Sequence, residues 1–199
     1  WTDSFKPLTA STRDELTALK DTADKNGYTS VSQGLAADIQ ALDQMDAEIA
    51  RLAKTQTGIS HCPTSNLRLG SGICPVPKML DAGVKIGLGV DGSASNDSSN
   101  FAREMQSALL VHRVGTAVDA MPPIRVLEMA TQGGAAVLGQ PEIGSVEVGK
   151  AADLAVFRLD KIDYAGAMAD PAAAILMCGA GPRTEYTIVR LAENEYYLI

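Results

Sequence analysis

This sequence contains few histidines and few aromatic residues, and its basic residues are not clustered. The 199 residues include two histidines, 5% aromatic residues, and 17 Lys and Arg against 24 Asp and Glu. A net charge of −7 without a basic cluster argues against a nucleic-acid polymer as a partner. The longest apolar run, residues 172–180, is far shorter than the roughly 20 residues that cross a bilayer, so no membrane span is expected.

The sequence also has little cysteine and no secretory signature at its start. The three cysteines, Cys62, Cys74 and Cys178, are widely spaced in a chain long enough to fold without disulfides, so a disulfide framework is not expected. The first residues, WTDSFKPLT, have neither the charge nor the apolar stretch of a signal peptide. We therefore expect a cytoplasmic protein. Its 46% hydrophobic content is sufficient for a core.

The beginning of the chain is predicted to be mainly helical. Residues 12–15 (TRDE) have the form of a capping box, and Asn26-Gly27 ends the helix that follows. Residues 28–32 (YTSVS) are rich in β-forming side chains and predict a short strand. Residues 36–54 carry apolar side chains at spacings of three and four, which predicts one long helix or two short ones.

Predicted strands and helices alternate in the middle of the chain. This alternation indicates a parallel sheet with helices packed on it. After Gly139, short β-like pieces predict a small β subdomain. Strands are predicted over residues 58–62, 84–90, 152–159 and 185–191, helices over residues 76–82, 101–115, 122–138 and 171–177, and a polar loop over residues 63–72.

Two of the predicted strands end in polar clusters, residues 60–66 (SHCPTSN) and 90–97 (VDGSASND). In parallel α/β proteins, ligands bind at the carboxyl ends of the strands. Asp91 directly follows an apolar strand, where a rigidly held carboxylate can bind a divalent metal or act as a base. The alternative is that Asp91 only caps its loop through an Asx turn.

Three further patterns in the sequence are weaker than the one at Asp91. His61 and Cys62, with Cys74 further on, could suggest a structural zinc site, but their spacing matches no usual zinc pattern. His112 falls within a predicted helix, where a structural role is expected. The glycines of residues 87–92 (GLGVDG) satisfy a dinucleotide-binding fingerprint and suggest a nucleotide-binding oxidoreductase. The polar loop that follows them, and the carboxylate within them, argue against it.

Four longer motifs carry a resemblance to a known family. They are residues 58–72 (GISHCPTSNLRLGSG), 81–97 (DAGVKIGLGVDGSASND), 130–139 (ATQGGAAVLG) and 143–156 (IGSVEVGKAADLAV). Together they resemble the amidohydrolase superfamily, in particular the aminohydrolase branch that includes 8-oxoguanine deaminase and the triazine hydrolases. The resemblance covers roughly residues 45–189.

The resemblance implies a fold, an activity and a set of site residues. The fold is α/β, an incomplete (β/α)₈ (TIM-type) barrel with part of the accompanying small β-sandwich domain. The activity is hydrolytic deamination of an aminopurine-like or triazine-like small molecule, with a zinc or iron ion that activates water. Asp91 matches the aspartate that binds metal and shuttles a proton. His61 and Asn66 would lie near the substrate ring.

The sequence departs from the family at the other metal ligands. The resemblance implies a His-x-His pair on strand one, single histidines on strands five and six, and a glutamate after strand five. With two histidines, neither in those motifs, this set is missing. In the register that matches residues 27–38 to the strand-five region, the histidine position falls on Gly34 and the glutamate position on Ala37.

The length of the chain and its resemblance to the family together predict three regions. A complete barrel takes about 250 residues, so we expect an N-terminal helical segment over residues 1–44, part of the hydrolase barrel over residues 45–139, and a return to the β subdomain over residues 140–199.

The resemblance leaves two hypotheses for the function. One hypothesis is a metal-dependent deaminase whose missing ligands come from another chain or are absent. The other is a catalytically incompetent remnant that acts as a binding or oligomerising module, its open edge covered by a partner such as a second copy.

Overall fold

The computed structural model describes residues 11–115, 117–180, 186–192 and 195–196. Within them, the strands form two separate sheets, one of two strands and one of three. The helices are α1 (Ser11–Lys25), α2 (Thr29–Thr55), α3 (Pro63–Leu69), α4 (Val76–Asp81), α5 (Phe101–Gly115), α6 (Pro123–Glu128), α7 (Gly134–Leu138) and α8 (Pro171–Cys178). The strands are β1 (Gly58–His61), β2 (Lys85–Leu88), β3 (Ala152–Phe157), β4 (Tyr186–Ala192) and β5 (Glu195–Tyr196).

Helices α1 and α2 form an antiparallel hairpin at the start of the described chain. Gly27 has φ +73° in the connection, a left-handed conformation that glycine adopts without strain. The strand predicted over residues 28–32 is wrong, because α2 already begins at Thr29. A hydrogen bond from Ser32 to Asp24 joins the two helices there, so packing against α1 overrides the local β preference.

Strands β1 and β2 are parallel neighbours, as the alternating pattern predicts. Their register pairs Gly58 with Lys85 and His61 with Leu88. The polar loop predicted between residues 63 and 72 is partly wrong, because residues 63–69 form α3. Pro63 at the first helical turn and Gly70, with φ +65° at the end, are the ordinary start and stop signals of a helix.

The helix predicted over residues 122–138 is present but interrupted. It begins after Pro122 and contains one π-helical turn, Met129–Gly133, between α6 and α7. This turn packs directly on β2, where a β-carbon added at Gly133 would lie 2.2 Å from the carbonyl oxygen of Ile86. Glycine at this position therefore allows the helix backbone to touch the strand backbone.

The hydrophobic core lies between β2 and the helices that cover it. Its buried residues include Val76 and Met79 of α4, Ile86 of β2, and Leu109 of α5. Leu176 of α8 is also fully buried in this core. The core therefore anchors the strand that leads directly into the polar cluster around Asp91.

The second sheet contains the β-like pieces predicted near the end of the chain. Strand β3 pairs antiparallel with β4, with Ala152 opposite Leu191, and β4 pairs antiparallel with β5. The short helix predicted over residues 171–177 is confirmed as α8. Among the described residues, no helix combines the length and apolar character needed to span a membrane.

Candidate functional site

The carboxyl ends of β1 and β2 bring both predicted polar clusters to one edge of the parallel sheet. His61 is the last residue of β1 and pairs with Leu88 at the end of β2. Asp91 follows β2 in a loop and has φ +61°. A left-handed backbone is uncommon for a residue with a β-carbon, although aspartate tolerates it better than most. Such outliers concentrate at functional sites.

Two serine hydroxyls hold the Asp91 carboxylate from different parts of the chain. Ser65 Oγ of α3 donates to Oδ2 at 2.6 Å, and Ser95 Oγ donates to the same oxygen at 2.9 Å. These two bonds, with a third from the Gly92 backbone, hold the pKa of Asp91 below its ordinary value. Asp91 is therefore an ionised, solvent-exposed carboxylate at neutral pH. Because Ser65 lies 26 residues away, its bond is more than a local Asx turn.

His61 and His112 form a buried pair beneath this edge. Their Nε2 atoms lie 3.2 Å apart, and the residues are 3% and 2% exposed. Two effects lower the pKa of His61 from 6.5 to about 4: burial, which is the larger, and electrostatic repulsion by His112. Burial lowers the pKa of His112 to about 4 as well. Both imidazoles are therefore neutral at pH 7, one donating to the other.

The pairing leaves one ring nitrogen of His61 without a partner. Its Nδ1 atom is buried and makes no hydrogen bond within the described residues. The neutral imidazole therefore retains a polar atom that a neighbouring group could satisfy. The expectation that His112 is structural agrees with its contact, because its ring orients His61 rather than facing solvent.

Asn66 lies on α3, one residue beyond the serine that binds Asp91. Its backbone N–H donates to the Cys62 carbonyl at 3.1 Å, which closes the first turn of the helix. The residue is half-buried. The structure thus places Asn66 on the same short helix as Ser65, near the strand edge where His61 ends β1.

Glu104 is a buried member of the same region that sequence reasoning missed. It lies in α5 and is 1% exposed. Its Oε2 accepts from the Thr64 N–H at 3.2 Å, and its Oε1 accepts from Asn96 Nδ2 at 2.7 Å. The sequence carries no local signal for it, because its burial, one helical turn before the fully buried Ala108, is seen only in the packed structure.

The described residues do not make up a complete metal centre. No group of three or more His, Cys, Asp and Glu side chains in this part of the chain is arranged to hold a metal. A catalytic zinc typically takes about three protein ligands, and the described part of the chain offers a single candidate at this edge, Asp91. The positions predicted by the strand-five register, Gly34 and Ala37, lie within α2 and offer no ligand atoms in their side chains.

The remaining sequence patterns find little support in the geometry. After the glycines of residues 87–92 the chain forms turns until α5 begins at Phe101, whereas the dinucleotide fingerprint requires a helix. Burial raises the pKa of the Cys62 and Cys74 thiols, which disfavours the thiolate that binds zinc. All three cysteines are free in the structure.

Comparison with known proteins gives a consistent set of similarities. The amidohydrolase family profile matches residues 9–187. The chain is 49% identical over 133 residues to 8-oxoguanine deaminase of Pseudomonas aeruginosa, which covers 67% of this chain and 29% of that protein. It is 45% identical over 157 residues to an isoxanthopterin deaminase from an unknown prokaryotic organism, covering 71% and 32% of the respective chains.

Solved structures give the same result for the fold. The zinc-complexed atrazine chlorohydrolase of Arthrobacter aurescens superposes with a TM-score of 0.67 and 37% identity, over 72% of this chain and 32% of that one. The chain therefore spans about a third of the length of the relatives that it matches.

Proposed function

Because the chain belongs to the amidohydrolase family, we propose that it supplies part of the catalytic barrel of a hydrolytic deaminase that acts on an aminopurine-like or triazine-like ring. The relatives named above act on 8-oxoguanine, isoxanthopterin and atrazine. These substrates are all nitrogen heterocycles. We assign this chain to the same substrate class without choosing one ring.

The observation that carries this proposal is the position of Asp91. It is an ionised carboxylate at the carboxyl end of a parallel strand, held by Ser65 and Ser95 through one oxygen. A carboxylate in that place can bind a metal and move a proton between water and substrate. We assign those two roles to Asp91, and contact with the substrate ring to His61 and Asn66.

We further propose that the parallel sheet is part of an incomplete (β/α)₈ barrel. The described parallel sheet has two strands, β1 and β2, against the eight of a closed barrel. In this proposal, residues 45–139 are barrel, residues 140–199 return to a small β-sandwich domain, and residues 1–44 are a helical segment. Helix α2 runs without interruption across residue 44, so that boundary falls inside an element.

The remaining metal ligands have to come from outside the described residues. A zinc or iron ion, when bound, would supply a water of lowered pKa for attack on the ring carbon. The zinc complex of the structural relative supports a divalent metal in the proposed site. Because the described donor set does not fit a complete centre, no catalytic step is assigned to a metal within this chain alone.

A chimaeric enzyme tests this proposal. The 133-residue segment of the Pseudomonas aeruginosa deaminase that matches this chain would be replaced by the corresponding segment from this protein. We expect ammonia release from 8-oxoguanine and about one metal ion per chain. Asp91→Asn should reduce turnover at least about a hundredfold, the scale of a lost acid–base group. Asp97→Asn, in the same loop, is the matched control. A folded, metal-loaded chimaera in which Asp91→Asn has no effect would refute the assignment.

A second candidate function is association without catalysis. Within the described residues, β1 and β2 pair only with each other, so one edge of each strand has no strand partner there. Open edges of this kind are templates for pairing with another chain. Sedimentation of the purified chain separates the alternatives, because an oligomer that lacks metal and an inactive but folded chimaera would favour the binding module.

A further inference from the structure

Glu104 connects the two segments that hold Asp91. Its Oε2 binds the N–H of Thr64, the residue directly before Ser65. Its Oε1 binds the side chain of Asn96, the residue directly after Ser95. Ser65 and Ser95 are the donors to Asp91 Oδ2. One buried carboxylate thus fixes the chain neighbour of each serine.

The Asn96 side chain adds a third connection. Its Nδ2 atom donates to Glu104 and also, at 2.9 Å, to the carbonyl of Val90. Val90 is the residue directly before Asp91. Asn96 is 2% exposed, so water does not compete for these bonds. The path from Glu104 through Asn96 therefore reaches the backbone that carries Asp91 in its left-handed conformation.

The contact with Thr64 also completes the start of α3. The residue before this helix, Cys62, offers no side-chain cap, and Pro63 has no N–H to donate. The N–H groups of the first helical turn lack partners within the helix, and a negative charge is favourable at that end. Glu104 supplies an acceptor oxygen at this end from α5, forty residues further along the chain.

We infer that Glu104 is a positioning residue for Asp91, which holds the α3 and Ser95 segments at the distance that lets both serine hydroxyls reach one carboxylate oxygen. This inference rests on the proposed role of Asp91. It assigns Glu104 no contact with substrate or metal. A carboxylate that only stabilised the fold could be replaced without changing the local geometry of Asp91. Replacement of a positioning residue should change that geometry.

Solution NMR of the isolated chain tests the inference without metal or substrate. Glu104→Gln keeps the side-chain length but leaves a single acceptor oxygen, because the amide nitrogen cannot accept a hydrogen bond. We expect this oxygen to keep the 2.7 Å bond from Asn96 and the longer 3.2 Å bond from Thr64 to be lost. We expect the ¹³Cα and ¹³Cβ shifts and the HN–Hα coupling of Asp91 to lose their left-handed values. Exchange of the Thr64 N–H should accelerate at least about tenfold, the equivalent of one lost hydrogen bond. Glu48→Gln, at an exposed position on α2, is the control.

Asn96→Ala removes the hydrogen bonds from Asn96 to Glu104 and to the Val90 carbonyl. It is the alternative test variant if Glu104→Gln does not fold. It should shift the Asp91 signals while the Thr64 N–H remains protected. If Glu104 is only structural, both variants lower the unfolding temperature and leave the Asp91 shifts and coupling of the folded state unchanged. That outcome would overturn the inference. Failure of the proposed function is recognised separately, by the Asp91→Asn chimaera.

Discussion

His61 and His112 lie 51 residues apart in sequence and meet through their Nε2 atoms at 3.2 Å. The sequence has two histidines, and the fold pairs them in its interior, where the ring centroids are 5.2 Å apart. A hydrogen bond between them requires at least one neutral ring. The pair is therefore sensitive to acid.

The free energy of unfolding should decrease as pH falls from 7 to 5. In the folded state the pKa of each imidazole lies at about 4, below the ordinary 6.5, so the unfolded chain binds more protons between these values. Stability is complete above pH 6.5 and is lost as pH approaches 4. We expect a loss of about 1 to 2 kcal/mol for each imidazole, measured by urea denaturation.

A double variant, His61→Gln with His112→Gln, is the control for this pH dependence. It has no imidazole to protonate, so its unfolding free energy should change much less between pH 7 and 5. If the unfolding free energy of the double variant decreased between pH 7 and 5 as much as that of the unaltered protein, the histidine pair would not be the source of the pH dependence.

Ser65→Ala should raise the pKa of Asp91 toward its ordinary value. The hydrogen bond from the Ser65 hydroxyl is the largest of the effects that lower the pKa of Asp91, and alanine cannot donate this bond. A ¹³C-detected titration of the Asp91 carboxyl carbon measures the change. Ser93→Ala, at an exposed position in the same loop, should leave the titration unchanged. An unaltered midpoint in Ser65→Ala would contradict the role given to that hydroxyl.

Gly133→Ala should destabilise the protein by about 1 to 3 kcal/mol, the usual range for overpacking. Its β-carbon would lie 2.2 Å from the carbonyl oxygen of Ile86, and neither backbone can easily move. Gly34→Ala in α2 is the matched comparison, because a β-carbon there meets nothing within 4 Å. That variant should gain about 0.5 to 1 kcal/mol from helix propensity. Urea denaturation of both variants should give opposite signs.

Tyr164→Phe should leave stability unchanged or increase it by up to about 1 kcal/mol. The Tyr164 hydroxyl is buried without a hydrogen-bond partner in the described part of the chain, and an unpaired buried polar atom is unfavourable. Thermal unfolding measures the change, with Tyr28→Phe at a 62% exposed position as the control. A clear loss of stability would mean that the hydroxyl has a partner.

The sequence predicts the elements whose signals are local. The Gly27 stop signal, the β1 and β2 strands and the Asp91 loop follow from capping residues, apolar runs and polar strand ends. The polar loop predicted over residues 63–72 overlooks such local signals at Pro63 and Gly70, whereas the strand predicted over residues 28–32 fails because of a distant contact. Residues 28–32 have β-forming side chains, yet they pack as helix against α1, which the local pattern does not contain.

The sequence predicts the candidate site at Asp91 and His61 but not the groups that hold them. Nothing in the sequence near Asp91 indicates Ser65, and nothing near His61 indicates His112, because both pairings join separate elements. Glu104 was hidden for a related reason. A single acidic residue in an amphipathic helix usually faces solvent, and only the packed structure places it inside.

The π-helical turn at Met129–Gly133 sets the rotational phase of everything that follows it in the helix. An α-helix advances about 100° per residue, so a one-residue deletion that converted this turn to α-helix would rotate α7 by about that angle. Gly134 now lies against Gly87 of β2, and Val137 lies against Gly58 of β1. Both contacts depend on that phase. The spacing between Pro123 and Val137 is therefore as constrained as any side chain in the sheet, and insertions or deletions there should be tolerated less well than substitutions.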